Sequence, residues 1–353
     1  DYDHFILFYF ILFYFIFTRL PMTLPFSLLD LAPIAEGSSI ADALENSRKL
    51  AIQAEQSGYN RVWLAEHHGM FGVASSATAI VLGHIAAATS KIRIGSGGVM
   101  LPNHSPLVIA EQFGTLATLF PDRVDLGLGR APGTDMATAR ALRRNLSSDV
   151  DNYPEEIREL QHYFATPQAG QNIVAVPGAN THIPIWLLGS SLYSAKLAGQ
   201  FGLPYSFASH FAPDQLFDAI SLYRSSFQAS EQSQKPYMMA GLMAVVADSD
   251  EEAKYLFTSV QQQFMNMRRG ANRPFARPVD DLSTICTAAD QAMLSNILRY
   301  AMVGSKQTVT DKLSQFIEAT KVDELIVSMP IHNMQARLKS VQLLAETGLM
   351  QAC

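Results

Sequence analysis

Residues 91–133 read KIRIGSGGVMLPNHSPLVIAEQFGTLATLFPDRVDLGLGRAPG, and they hold two strand-like runs, the helix that joins them and a loop at each strand's exit. The first run, 91–95, alternates charge with isoleucine. It then breaks into Ser96, Gly97 and Gly98, where the backbone reaches conformations closed to residues with a Cβ. Bare backbone of this kind offers a surface on which a flat ligand can lie. Ser105 is placed as an N-cap and Pro106 at the first helical position, which predicts a helix over 106–119. The second run, 124–128, passes through Gly129 into Arg130, so a guanidinium stands where strand gives way to loop, a suitable place for an anion clamp.

The same rhythm of short apolar run and amphipathic stretch continues in both directions, and it is the pattern of parallel strands with crossover helices. Strands are expected at residues 25–31, 60–65, 91–95, 124–128, 183–188, 205–208, 237–247 and 324–329. Helices are expected at 41–57, 77–89, 106–119, around 154–164, after 191 through 198, and at 214–228, 250–267, 308–319 and 333–347. Eight strand–helix pairs in order predict an α/β fold of the closed (β/α)8 TIM barrel type, with an open doubly wound sheet as the alternative. Two segments exceed ordinary connectors: 131–181 after the fourth strand, and about 268–303 after the seventh, the second without strand signals.

A chain of 353 residues that is 48% hydrophobic can bury a core of this size. Its net charge of -6 gives no electrostatic footprint for nucleic acid. Its two cysteines, Cys286 and Cys353, show neither disulfide-framework nor zinc-site spacing, which fits a cytoplasmic setting. Residues 5–17, FILFYFILFYFIF, are foreign to this pattern. The block is shorter than the roughly 20 residues of a membrane helix and lacks the flanks of a secretory signal. Residues 1–21 are therefore read as an extension outside the fold, Met22 as the natural start, and 22–353 as the barrel domain; a membrane or partner anchor is the alternative.

The active site of such a barrel is built where strands end. Those exits carry Asp30; Glu66, His67 and His68; Gly97, Gly98 and Asn103; Arg130; Ser190 and Ser191; and Ser209 with His210. Adjacent histidines on a strand point to opposite faces, and no third ligand has metal-site spacing, so no metal is expected. A histidine beside Glu66 suits general acid/base work, against a reading in which the group merely satisfies loop backbone. Gly189, Ser190, Ser191 and Ser194 follow a strand and open a helix, which suits phosphate, although an ordinary N-cap explains a serine there equally. Arg130 tips the balance toward an anion. Arg140, Arg143 and Arg144 lie in the following segment and read as a solvated face at two or more of the three positions. Gly127, Gly129 and Gly133 have the wrong spacing for a dinucleotide fingerprint, and no nucleophile elbow, Walker loop or H-E-x-x-H is present.

Four stretches in combination, WLAEHHGM at 63–70, RIGSGGVMLPNHSPLVIAEQFGTL at 93–116, DRVDLGLGRAPG at 122–133 and WLLGSSLYSA at 186–195, resemble the bacterial luciferase-like flavin monooxygenases. They are closer to a poorly characterised bacterial branch than to the light-emitting enzymes. The resemblance covers residues 22–347 and implies a (β/α)8 barrel that uses reduced FMN as cosubstrate. It matches His67 to the active-site histidine, Gly97 and Gly98 to a cis peptide beneath the isoalloxazine ring, and Arg130, Ser190, Ser191 and Ser194 to the phosphate site, with Ser209 or His210 near the ring. It further implies a separate flavin reductase as partner, a homodimer, and oxidation by molecular oxygen of an aldehyde or other small organic molecule. Two other functions stand beside this one: deazaflavin-dependent hydride transfer, and a non-catalytic flavin-binding protein.

Overall fold

A computed structural model of the chain describes residues 23–131, 136–142 and 152–351. The expectations for residues 1–21, Met22, Gly133, Arg143, Arg144 and Cys353 lie outside the described residues. In chain order the strands are β1 (Phe26–Asp30), β2 (Arg61–Leu64), β3 (Arg93–Ser96), β4 (Val99–Met100), β5 (Val124–Gly129), β6 (Ile185–Gly189), β7 (Tyr205–Phe207), β8 (Met238–Ala247), β9 (Met302–Ser305) and β10 (Glu324–Ser328). All pairings between them are parallel, and β10 bonds to both β1 and β8, closing the eight-membered circuit β1-β2-β3-β5-β6-β7-β8-β10. The fold is the closed (β/α)8 TIM barrel, not the open sheet.

Two short strands stand outside that circuit. β4 continues the exit of β3 and pairs with the last residues of β5. β9 pairs with Ala244–Ala247, the part of β8 that overshoots the barrel rim. The segment 268–303 was expected to carry no strand, and β9 corrects this at its end: Met302 and Val303 form a strand because β8 supplies an edge. Their local sequence carries too little signal. The same segment also contains a helix, Ala288–Ile297, opened by a capping box between Thr287 and Asp290.

Large side chains within the barrel are matched by glycines. Trp63 and Trp186 meet edge to face inside it, their centroids 5.2 Å apart, and Tyr237 adds a third ring 5.6 Å from Trp186. A Cβ on Gly95 would lie 2.6 Å from the Trp63 indole nitrogen, and one on Gly127 would lie 2.2 Å from the Ser96 carbonyl oxygen. Both glycines are thus required by packing, with no ligand involved. Below the indoles the strand starts carry a buried charge layer. The Arg61 guanidinium donates to Asp125 at 2.6 Å and to both oxygens of Glu324 at 2.9 and 3.1 Å. Arg93 also donates to Asp125, and Tyr237 to Glu324. This floor lies at the end of the barrel opposite the strand exits, and so leaves the exits free for chemistry.

Candidate active site

Local structure at the exit of β2 divides the two histidines. His68 turns back to Glu66, its Nε2 lying 2.8 Å from Oε1, while His67 lies close enough to His210 for charges on the two rings to repel. The main chain of His67 is fixed by its carbonyl oxygen, which accepts from the Ser76 hydroxyl at 2.8 Å. His210, at the exit of β7, turns Nδ1 toward Gly241, where an added Cβ would lie 2.4 Å from it. That Nδ1 is buried without a hydrogen-bond partner, although the residue as a whole is only half-buried. Burial first, and the neighbouring His67 second, push the His210 imidazole down to about 4, so the ring is neutral at physiological pH. Ser209 beside it is spent on structure, donating to the Gly241 carbonyl at 2.7 Å.

Glu66 is the centre of this end of the barrel. It is 2% exposed, and its Oε1 also meets His104 Nε2 at 2.7 Å. Burial acts to raise its pKa, but hydrogen bonds and charge from His104 and then His68 outweigh burial and hold the carboxyl below its usual value. Spacing offers no third ligand to His67 and His68, but the fold brings His104 to Glu66 and His68, so that these three, without His67, present ligand atoms within 4.8 Å of one another. Sequence spacing concealed His104 because it comes from the turn after β4, on a different strand–helix unit. The only signal was its place between Asn103 and Ser105 in a strand-exit loop.

The peptide between Gly97 and Gly98 is cis. A Cβ on Gly98 would lie 2.7 Å from the Gly127 carbonyl oxygen, so backbone packing requires that glycine, while one on Gly97 would press on Leu29 Cδ1 at 2.5 Å; the two leave the rim above without side chains. Across the mouth, Arg130 follows β5 and its guanidinium lies over the Tyr193 ring, 4.2 Å from the centroid. Tyr193 is the second residue of the helix Leu192–Phe201, so this stacking delivers a cation to a helix N-terminus. No motif marks the pair, because strand packing alone makes them neighbours. Ser191 is the N-cap, accepting from the Ser194 amide at a long 3.5 Å, and Ser190 precedes it on the rim. The Ser194 hydroxyl instead donates to the Ser191 carbonyl at 2.8 Å and lies 2.9 Å from Tyr205 Oη. Gly189 is needed for that packing, since its Cβ would lie 2.3 Å from Ser194 Oγ.

Asp30 does not face the mouth. It turns outward to Ser47 and to Arg337, whose Nη2 is 2.7 Å away, and ties the barrel to its helices. Arg140 is exposed.

A family model described as luciferase-like monooxygenase matches residues 24–324. The chain belongs to that family. A luciferase-like monooxygenase of Escherichia coli (strain K12) is 51% identical over 321 residues, 91% of this chain and 96% of the relative. An N-acetyl-S-alkylcysteine monooxygenase of Bacillus subtilis (strain 168) is 30% identical over 92% of this chain and 98% of its own length. Among solved structures, apo-MsnO8 superposes with a TM-score of 0.83 at 33% identity, covering 94% of this chain and 100% of that one. Membership places the chain among flavin-dependent oxidoreductases. Among the described residues, no helix is long and apolar enough to cross a membrane.

Proposed function

We propose that this luciferase-like monooxygenase uses FMN, taken up in reduced form from a separate flavin reductase, to oxidise an aldehyde or another small organic molecule with molecular oxygen. The observation that carries the FMN reading is Arg130 stacked over the first turn of the helix Leu192–Phe201, on the rim that also holds Gly97, Gly98, His67 and His210. A cation beside free helix-start amides fits a phosphate monoester. The side-chain-free backbone of Gly97–Gly98 fits a planar ring system.

In this reading Arg130, Ser190 and Ser191 hold the phosphate, Ser194 and Gly189 shape the turn beneath them, and Gly97 and Gly98 carry the ring. Bound reduced flavin supplies the electrons that activate oxygen, and the protein supplies binding, orientation and a dry pocket. His67 moves a proton at the substrate, and His210, neutral at physiological pH, adds no charge beside it. Glu66 keeps its charge off the reacting centre by spending it on His68 and His104.

Equilibrium titration tests the reading. Arg130→Ala should weaken FMN binding about 10- to 100-fold, as expected for losing a hydrogen-bonded charge pair. Unchanged affinity, or tighter binding of a deazaflavin cofactor than of FMN by the wild type, would remove FMN from the proposal. A homodimer is part of the same reading. Ile80 and Leu119, 77% and 64% exposed on neighbouring helices, supply apolar surface for a second copy; light scattering that returns only the monomer mass would refute it.

A further inference from the structure

One carboxylate connects the two loops on which the proposed reaction depends. Glu66 Oε1 accepts from His68 Nε2 at 2.8 Å and His104 Nε2 at 2.7 Å, and Oε2 accepts from the Met100 amide at 3.3 Å. His68 adjoins His67 in the exit loop of β2. Met100 lies two residues after Gly98, and His104 closes the turn after β4. Three donors from two strand–helix units therefore converge on a single buried acceptor, and each hydrogen bond loses its electrostatic partner if the carboxylate moves.

We propose that Glu66 and His104 form a positioning clamp that holds the loop of His67 in register with the loop of Gly97 and Gly98. His104 does not touch the reacting atoms in this assignment; it acts through Glu66. The inference deepens the flavin reading and rests on it for its functional meaning, but the clamp itself is a property of the protein alone. The rival use of the cluster is a divalent-cation site. The geometry favours the clamp: both imidazole nitrogens approach the same oxygen at hydrogen-bond separation, as N–H donors do, and the second oxygen is already engaged by a backbone amide.

The test reads the Met100 amide in FMN-free protein by hydrogen exchange, so it does not depend on flavin. His104→Leu, which removes one donor, should speed that exchange on the order of ten-fold, and His68→Leu should do the same from the other imidazole. His104→Gln, which can present an N–H to the same oxygen, should restore slow exchange. Unaltered exchange in both leucine variants would overturn the clamp, as would stoichiometric Zn2+ uptake by the wild type that His104→Leu abolishes. FMN titration of the same proteins separates the two ideas. With the clamp and the flavin reading both correct, His104→Leu weakens FMN and perturbs its visible spectrum, and His104→Gln recovers both. A wild type that binds no FMN defeats the flavin reading and leaves the exchange result to decide the clamp.

Discussion

His67 and His210 share the mouth of the barrel but have different environments, and the difference is measurable. The folded-state pKa of His210 lies near 4, below the roughly 6.5 of an unfolded chain. Between those values the unfolded chain takes up a proton that the folded one refuses. Stability is therefore fully present above about pH 6.5 and falls as pH drops toward 4, by up to about 3 kcal/mol. Denaturant midpoints of the wild type should show this fall, and those of His210→Phe should show less of it; equal slopes would mean that His210 titrates normally. His67→Ala should lower turnover with reduced FMN about 100-fold or more while leaving FMN affinity nearly unchanged, as removal of a general acid/base does. Retained turnover would assign His67 to the scaffold. The division of labour within Glu66-His67-His68 was half legible in sequence. The sequence places both histidines at the exit of one strand, but they lie in the loop beyond Leu64, where strand alternation no longer applies, and only the folded protein shows which partner each finds.

At the scale of the element, the helix Leu192–Phe201 has to serve both as a barrel helix and as a proposed phosphate site. Its cap is weak, because the Ser191 hydroxyl lies 3.5 Å from the Ser194 amide. Ser191→Ala should therefore cost less than about 1 kcal/mol in thermal or denaturant stability. It should nevertheless weaken FMN binding several-fold in titration if the hydroxyl faces phosphate. Loss of stability with unchanged FMN affinity would return Ser191 to the ordinary N-cap reading that the sequence leaves open. β9 shows the opposite limit of local reasoning. Its four residues form a strand only because β8 extends ten residues and offers an unpaired edge beyond the rim.

At the scale of the whole molecule the two ends of the barrel divide stability from chemistry. The layer of Arg61, Asp125 and Glu324, buried, with half-buried Arg93 at its edge, is neutral in sum, and every charge in it has a partner. Burial works against the Arg61 charge, but Asp125 and Glu324 outweigh it and strengthen its hold on the proton. Arg61→Leu leaves Asp125 with Arg93 as its one cation and Glu324 with none, and should cost about 3–5 kcal/mol by chemical denaturation. A cost under about 1 kcal/mol would mean that water enters the floor of the barrel.

Periodicity and punctuation by themselves determined the eight strands in chain order and their crossover helices, while closure into a barrel was decided by β10 pairing with both β1 and β8. These depend on local preferences that repeat, and a parallel sheet built from such units has few ways to close. The same reading placed Gly97, Gly98, Arg130 and His67 at strand exits, since a strand's end is a local property. Only the tertiary structure decided that Arg130 lies over Tyr193, that His104 completes the Glu66 cluster, that Asp30 faces outward to Arg337, and that Gly95 makes room for the Trp63 indole and Gly127 for the Ser96 carbonyl. Each of these is a contact between residues distant in the chain, and its partner is chosen by the packing of the whole barrel.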